Sequence, residues 1–268
     1  MGAKPSSFPA DQPDRPPEQK RADYYDDPGC DYAQYWQQRA YEHAAEEIAI
    51  RRLLRGRHAV LAVDIGGGYG RLSALLAHYA DRVIVAEPSS RQLEQARLRL
   101  HGNAAIEFRK LAADDLQLPA GTVGLALMVR VVHHLPDPAP ELAELARILS
   151  PEGCAVIQMA NYAHIGNRLR YMLRGRKLPL KAVNVTAPDN QRPDSVPLVN
   201  HNPYTFMRQL AHAGLRVERV LSVSNVRGRR VRRLVPPRLL LAIERQLQAP
   251  LGRRFFAPSI FYLVRKAE

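Results

Sequence analysis

The stretch Val63-Asp64-Ile65-Gly66-Gly67-Gly68-Tyr69-Gly70 carries a short apolar run into a turn dense in glycine, followed by Arg71 and a helical pattern. Glycine lacks a Cβ, so such a turn adopts backbone angles closed to other residues and lets a ligand approach the main chain. The helix N-terminus beyond it offers unpaired N–H groups. Ala59–Ile65 reads as a strand, Leu72, Leu75 and Leu76 space a helix over Arg71–Tyr79, and Arg82–Ala86 reads as a second strand. Strand, helix and strand of these lengths make a βαβ unit with parallel strands and a right-handed crossover.

The alternation continues in both directions. Ser89–Leu100 reads as a helix, Ile106–Lys110 and Val123–Val129 as strands, Pro140–Leu149 as a helix with Leu142, Leu145, Ala146 and Leu149 on one face, and Cys154–Met159 as a fifth strand. Upstream, Asp31 to about Arg57 is helical, with Ala45, Ile48, Ala49 and Leu53 at one-face spacing and Gly56 as a stop. Five strands alternating with helices define an α/β chain with a doubly wound sheet and helices on both faces. After Asn161 the rhythm breaks. A basic, proline-bearing stretch, 162–200, is too long for an ordinary connection and reads as a lid; a helix follows, N-capped by Asn202 with Pro203 at its first position and ending at Gly214. Strand-like Leu215–Val223 and Ile260–Val264 then flank a basic insertion, 224–257, in which Leu239, Leu240, Ile243 and Leu247 form a helical stripe.

The organisation that follows is a proline-rich disordered tail at 1–22, a helical cap at 23–57, a ligand-binding core at 58–160 and a basic region at 161–268 that completes the sheet. The chain has 268 residues, 46% of them hydrophobic, and a net charge of +13. Divided at residue 160, the first part holds 18 Lys+Arg against 21 Asp+Glu and the second 21 against 5. All the excess positive charge therefore lies in the second part, which attracts phosphate- or carboxylate-bearing partners without choosing among nucleic acid, anionic lipid and acidic small molecules. Only Cys30 and Cys154 are present, so no disulfide framework or closed thiolate metal site can be assembled, and a reducing cytoplasm is the expected home. No stretch reads as a signal peptide or membrane span. His133 and His134 are adjacent and lack a partner at ligand spacing, so no metal is expected.

The glycine spacing separates two cofactor classes. A dinucleotide fingerprint counted from Gly66 requires a third glycine where Arg71 stands, which disfavours a nicotinamide cofactor. The G-x-G-x-G spacing, with Asp64 two places before the first glycine, resembles motif I of the class I S-adenosylmethionine-dependent methyltransferases. The second strand ends at Glu87-Pro88, where a carboxylate can accept both hydroxyls of a ribose, a feature common to both cofactor classes. The segment His133-His134-Leu135-Pro136-Asp137-Pro138, followed by Leu145 to Gly153 (LARILSPEG), resembles the type 11 methyltransferase group from about residue 59 to 160.

This resemblance implies a Rossmann-like sheet, mostly parallel with an antiparallel last strand, S-adenosylmethionine as cofactor and S-adenosylhomocysteine as product. The implied cofactor contacts are Asp64, Gly66, Gly67, Gly68, Gly70, Glu87, Pro88 and Arg130, with Asp114 for the adenine amino group because Ala112 occupies the family's usual acidic position. In the aromatic block before the first strand, Arg39 can pair with the cofactor carboxylate and Trp36 or Tyr35 can shield the sulfonium, unless the block simply docks as an amphipathic helix. His133, favoured over His134, and Tyr162 are the candidate catalytic residues, with His164 also within reach; both histidines can equally be structural. The expected function is methyl transfer to a small-molecule or lipid-like acceptor, acidic or otherwise. Two rivals stay open: an RNA methyltransferase using the basic region, disfavoured by the absence of N-P-P-Y after strand four and of a turn cysteine, and a binding module without turnover. For the insertion, packing on the domain competes with peripheral contact at the anionic inner face of a membrane. Oligomeric state is not legible.

Overall fold

The computed structural model describes residues 25–26, 36–186, 198–226 and 228–267. The proline-rich tail, Cys30 and Tyr35 lie outside them. Helix α1 (Ala40–Leu53) precedes β1 (Ala59–Ile65), the short α2 (Ser73–Leu76), β2 (Ala80–Ala86), α3 (Ser90–Arg99), β3 (Ile106–Arg109) and β4 (Val123–Met128). A 3-10 turn at Val132–His134 leads to α4 (Ala139–Ile148) and β5 (Leu149–Ala160). Beyond these come α5 (Ile165–Leu173), the paired short strands β6 (Val183–Asn184) and β7 (Val199–Asn200), and α6 (Pro203–His212). The chain closes with β8 (Leu215–Val223), α7 (Arg229–Leu234), α8 (Pro237–Gly252) and β9 (Ser259–Lys266).

Seven strands form one sheet in the order β3-β2-β1-β4-β5-β9-β8. The first five pair in parallel, and β9 lies antiparallel between β5 and β8. Strand order reverses between β1 and β4, which opens a crevice at their carboxyl ends, where ligands of doubly wound sheets bind. Alternate residues of one strand serve opposite cores. Leu125 and Leu127 of β4 face the side covered by α1 and α3, whereas Ala126 and Met128 face the side covered by α4 and α6. Among the described residues no helix is long and apolar enough to cross a membrane.

Several boundaries differ from the sequence expectation for identifiable reasons. β2 starts at Ala80 rather than Arg82, because pairing already runs from Ala59 opposite Ala80 while Asp81 and Arg82 project to solvent and break the apolar pattern. The expected helix 71–79 contracts to four residues, Tyr79 N–H instead bonding the Leu76 carbonyl in a closing turn. β5 begins at Leu149 rather than Cys154, since Leu149 pairs with Val123 before an irregularity in register, so Ser150–Gly153 belongs to the strand. In α1 the inward face carries Glu46 and Ile50, and Ile48 is only half-buried.

The largest correction concerns α8. Its apolar stripe does not face inward as a unit: Leu240 is buried, Leu239 and Ile243 are exposed, and the inward line is Leu240, Glu244, Gln248 and Gly252. Gly252 is required by a close approach, since a Cβ there would strike the Val220 carbonyl. Glu244 is fully buried and organises the junction. Its Oε1 accepts from Ser224 N–H (2.8 Å) and Asn225 Nδ2 (3.0 Å), and its Oε2 accepts from Asn225 N–H and the Tyr41 hydroxyl, both at 2.9 Å. Gln248 Nε2 donates to the Ala45 carbonyl at 2.9 Å, which ties α8 to α1. Replacing Glu244 by Ala strands these donors in a dry junction and is expected to cost roughly 2–4 kcal/mol. Urea unfolding should show a lower midpoint at an unchanged slope.

Candidate functional site

The turn after β1 is shaped by three left-handed glycines, Gly66 (φ 63°), Gly68 (φ 55°) and Gly70 (φ 75°). A Cβ on Gly67 would lie 2.8 Å from Val85 Cγ1 and 3.1 Å from Asp64 Oδ2, so the turn also lacks room for side chains. Asp64 at the end of β1 is buried and accepts from Ser73 Oγ at 2.6 Å; burial pushes its carboxyl up to about 6. At the end of β2, Glu87 accepts from Gly68 N–H through Oε2 and from Ser89 N–H through Oε1, each at 2.9 Å. Burial raises its carboxyl to about 7 against the opposing effect of those two bonds. Each Glu87 oxygen has further lone-pair capacity, so the carboxylate can accept from a vicinal diol while holding the turn.

These residues line a cleft of about 930 Å³, its open mouth included. Arg71 and Arg130 enter it from the other side of β1. Glu46 of α1, with no exposed surface, receives Arg71 Nη2 on Oε2 (2.6 Å) and Arg130 Nε and Nη2 on Oε1 (3.0 and 2.7 Å). Burial alone would raise the Glu46 carboxyl, and the guanidiniums, Arg130 ahead of Arg71, more than reverse it and hold it below the usual range. The Trp36 ring packs under both cations, 3.6 Å from the Arg71 guanidinium carbon and 5.1 Å from that of Arg130. Guanidiniums at this place on the cleft wall are suited to a ligand carboxylate. Arg130 itself has φ 65°, and its N–H is held by Gln158 Oε1 at 3.1 Å.

The cleft gathers Asp64, Gly66, Gly67, Gly68, Glu87, Pro88 and Arg130, all named from the sequence. Others lie elsewhere. Gly70 is not in the lining; it lets the turn pack on α3, where a Cβ would crowd Leu100. Arg39 is likewise outside the lining, and Arg71 and Arg130 supply the cationic side. Ala112 and Ala113 line the cleft where Asp114 was expected, while Asp114 Oδ1 is buried without a hydrogen-bond partner. His134, not His133, faces the cleft. The two ring centroids lie 3.9 Å apart with the planes tilted by 43°, and the His133 imidazole is held well below its usual range by burial, then by His134, Arg130 and His201. The 3-10 turn that holds the adjacent histidines places the second ring, not the first, on the cleft side. Tyr162 is also outside the lining, its hydroxyl 3.0 Å from that of Tyr171.

Sequence reasoning missed Tyr25, Arg71 and Gln92, which also line the cleft. Tyr25 Oη lies 2.7 Å from His134 Nε2. The neighbouring Asp26 Oδ1 accepts from Ser89 Oγ (2.6 Å) and Arg91 N–H (2.9 Å), capping α3 from a distant part of the chain. No periodicity marks these two residues. An acidic residue available to a helix N-terminus was the only signal.

Seven strands in this order with a glycine cradle and a terminal acid on β2 constitute the Rossmann-like fold of class I S-adenosylmethionine-dependent methyltransferases. Residues 63–157 match the methyltransferase domain family. A methyltransferase-family protein of Dictyostelium discoideum is 35% identical over 97 residues, 36% of this chain and 35% of its own length. A ubiquinone biosynthesis O-methyltransferase of Cereibacter sphaeroides is 31% identical over 100 residues, 37% of this chain and 40% of its own. The chain thus spans well under half the length of either curated relative. Among solved structures, an S-adenosylmethionine-dependent methyltransferase from Thermotoga maritima superimposes with a TM-score of 0.63 at 18% identity, over 91% of this chain and 99% of that one.

Because the fully buried Glu46 pairs with both Arg71 and Arg130, Glu46→Gln is expected to destabilise the chain by about 3 kcal/mol, the cost of leaving buried charge uncompensated. Thermal and urea unfolding would measure it. Glu47→Gln on the solvent side of the same helix should change stability by no more than about 0.5 kcal/mol.

Proposed function

We propose that the protein is an S-adenosylmethionine-dependent methyltransferase acting on a small, apolar acceptor that carries an ionisable hydroxyl. The observation that carries this reading is the buried Glu87 carboxylate bonded to the glycine turn itself, since it joins a diol acceptor to a cradle that a Cβ would fill. Gly66, Gly67 and Gly68 would face the amino-acid and ribose parts, Glu87 the ribose hydroxyls, Arg71 and Arg130 the carboxylate, and Ala112 and Ala113 the base. When bound, the cofactor supplies a methyl group on a sulfonium, and S-adenosylhomocysteine remains after transfer. The chain's own contribution is alignment and the exclusion of water from the cleft.

An acceptor hydroxyl must lose its proton as its oxygen–carbon bond forms, and the groups at hand are His134 and Tyr25, joined at 2.7 Å. The Cereibacter sphaeroides relative, named for ubiquinone biosynthesis, supports a phenolic acceptor class. In this reading 162–200 borders the acceptor, with α5 and the β6–β7 pair as its described parts. An RNA acceptor is the second reading, favoured by the basic charge of 161–268. A reducing cytoplasm suits the buried free thiol of Cys154.

Calorimetric titration with S-adenosylhomocysteine tests the reading. Glu87→Ala removes two charge-assisted hydrogen bonds, each worth about 1.5–3 kcal/mol, and should weaken binding at least tenfold. Ribose hydroxyls donate to the carboxylate form, so binding favours ionised Glu87. With its carboxyl raised to about 7, wild-type affinity should fall as pH drops below that value and level off above it. Glu87→Gln should lose that dependence. Unchanged affinity in Glu87→Ala overturns the assignment.

A further inference from the structure

Helix α5 turns most of its surface outward. Only Asn167 is buried, while Ile165, Leu169, Met172 and Leu173 are exposed, the last two by 68% and 76%. Their spacing of four, seven and eight residues from Ile165 puts them on one helix face. The helix is nevertheless firmly seated. Ile165 N–H bonds the Phe256 carbonyl at 3.0 Å, Asn167 Nδ2 bonds the Tyr162 carbonyl at 2.7 Å, and Arg168 Nε bonds the Ala163 carbonyl. An apolar stripe held outward on a rigid seat has a cost in water that a covering partner would remove.

Charge indicates the kind of partner. Arg170, Arg174, Arg176, Lys177 and Lys181 lie exposed on α5 and the segment after it, beside exposed Leu180. Within the described part of 161–267 the acids are Glu218 and Glu244. Glu218 pairs with Arg57 and Arg265, and Glu244 is buried among the donors named above, so neither offsets this surface. β8 runs in the same direction as β5, so α7 leaves the same edge of the sheet as α5 and adds exposed Val231, Leu234, Arg233 and, at the start of α8, Arg238 and Leu239. That edge is the carboxyl edge, which also carries the cleft.

We propose that α5 and the α7–α8 turn form a docking surface for an anionic lipid bilayer, with the apolar stripe entering the headgroup boundary and the arginines meeting lipid phosphates. The stripe is aliphatic and continuous, which suits acyl chains; a single-stranded nucleic acid would instead favour exposed aromatic platforms. The surface lies on the same carboxyl edge of the sheet as the cleft, and docking there would bring that edge to an acceptor dissolved in the membrane. That last step rests on the proposed function, whereas vesicle binding does not.

The test is co-sedimentation of the full chain with vesicles of pure phosphatidylcholine and of phosphatidylcholine mixed with phosphatidylglycerol. Each basic residue near an anionic surface strengthens binding roughly fivefold, so several together should give a preference for the anionic vesicles of at least about tenfold at low salt. Binding should be largely lost near 1 M salt, where screening acts within about 3 Å. The double variant Leu169→Glu, Met172→Glu should reduce anionic-vesicle binding at least about tenfold. Its unfolding midpoint and its affinity for S-adenosylhomocysteine should match the wild type, which separates this outcome from misfolding and from failure of the cofactor assignment. Equal binding to neutral vesicles, no sedimentation at low salt, or full binding by the double variant would overturn the proposal. So would tight binding of a single-stranded RNA that displaces the vesicles and is untouched by the double variant.

Discussion

Glu46 holds two guanidiniums that arrive from different strands, Arg71 from the turn after β1 and Arg130 from the end of β4. Both ion pairs converge on Glu46, which itself has no access to water. The helix that carries Glu46 is thereby fixed to the crevice, Trp36 is pressed against both cations, and Arg130, just beyond β4, sits in a left-handed conformation uncommon for a residue with a side chain. Across the same crevice Asp64 and Glu87 are acids whose burial resists ionisation. The cleft therefore offers a cationic face opposite a carboxyl-lined, hydrogen-bonding one within one enclosure, complementary to a ligand that bears both a carboxylate and a diol.

The fold was legible where side-chain burial follows a period. β1, β4 and β9 are buried on both faces, and their unbroken apolar runs stood out in the chain, as did the Asn202-Pro203 start of α6, where Asn202 Oδ1 accepts from Tyr204 N–H at 3.0 Å. It was not legible where polar residues do the packing. α8 presents Glu244 and Gln248 inward because its neighbours offer backbone N–H and carbonyl groups, not an apolar floor, and hydropathy reads such a face as solvent. The same inversion hid Glu46 in α1.

For the site, the residues on β1 and β2 could be found because the turn and the strand end fix their positions within a single βαβ unit. Those contributed from afar could not. Arg71 reads as a solvent residue at the start of a helix, and its role appears only when Glu46 and Trp36 are brought beside it. The choice between His133 and His134 depended on the rotation of one 3-10 turn, which a sequence does not encode at the resolution of neighbouring residues.

Ser89 is shared between the floor of the cleft and the segment that reaches over it. Its N–H serves Glu87 and its hydroxyl serves Asp26, while the same hydroxyl receives Gln92 N–H at the start of α3. Tyr25, next to Asp26, touches His134 on the opposite wall. Occupancy of the cleft and seating of the Tyr25–Asp26 segment are consequently linked through one residue. A ligand that binds Glu87 favours the seated segment, and by thermodynamic reciprocity the seated segment tightens the ligand's binding. Affinity in this cleft is thus set by Tyr25 and Asp26 as well as by the glycine turn.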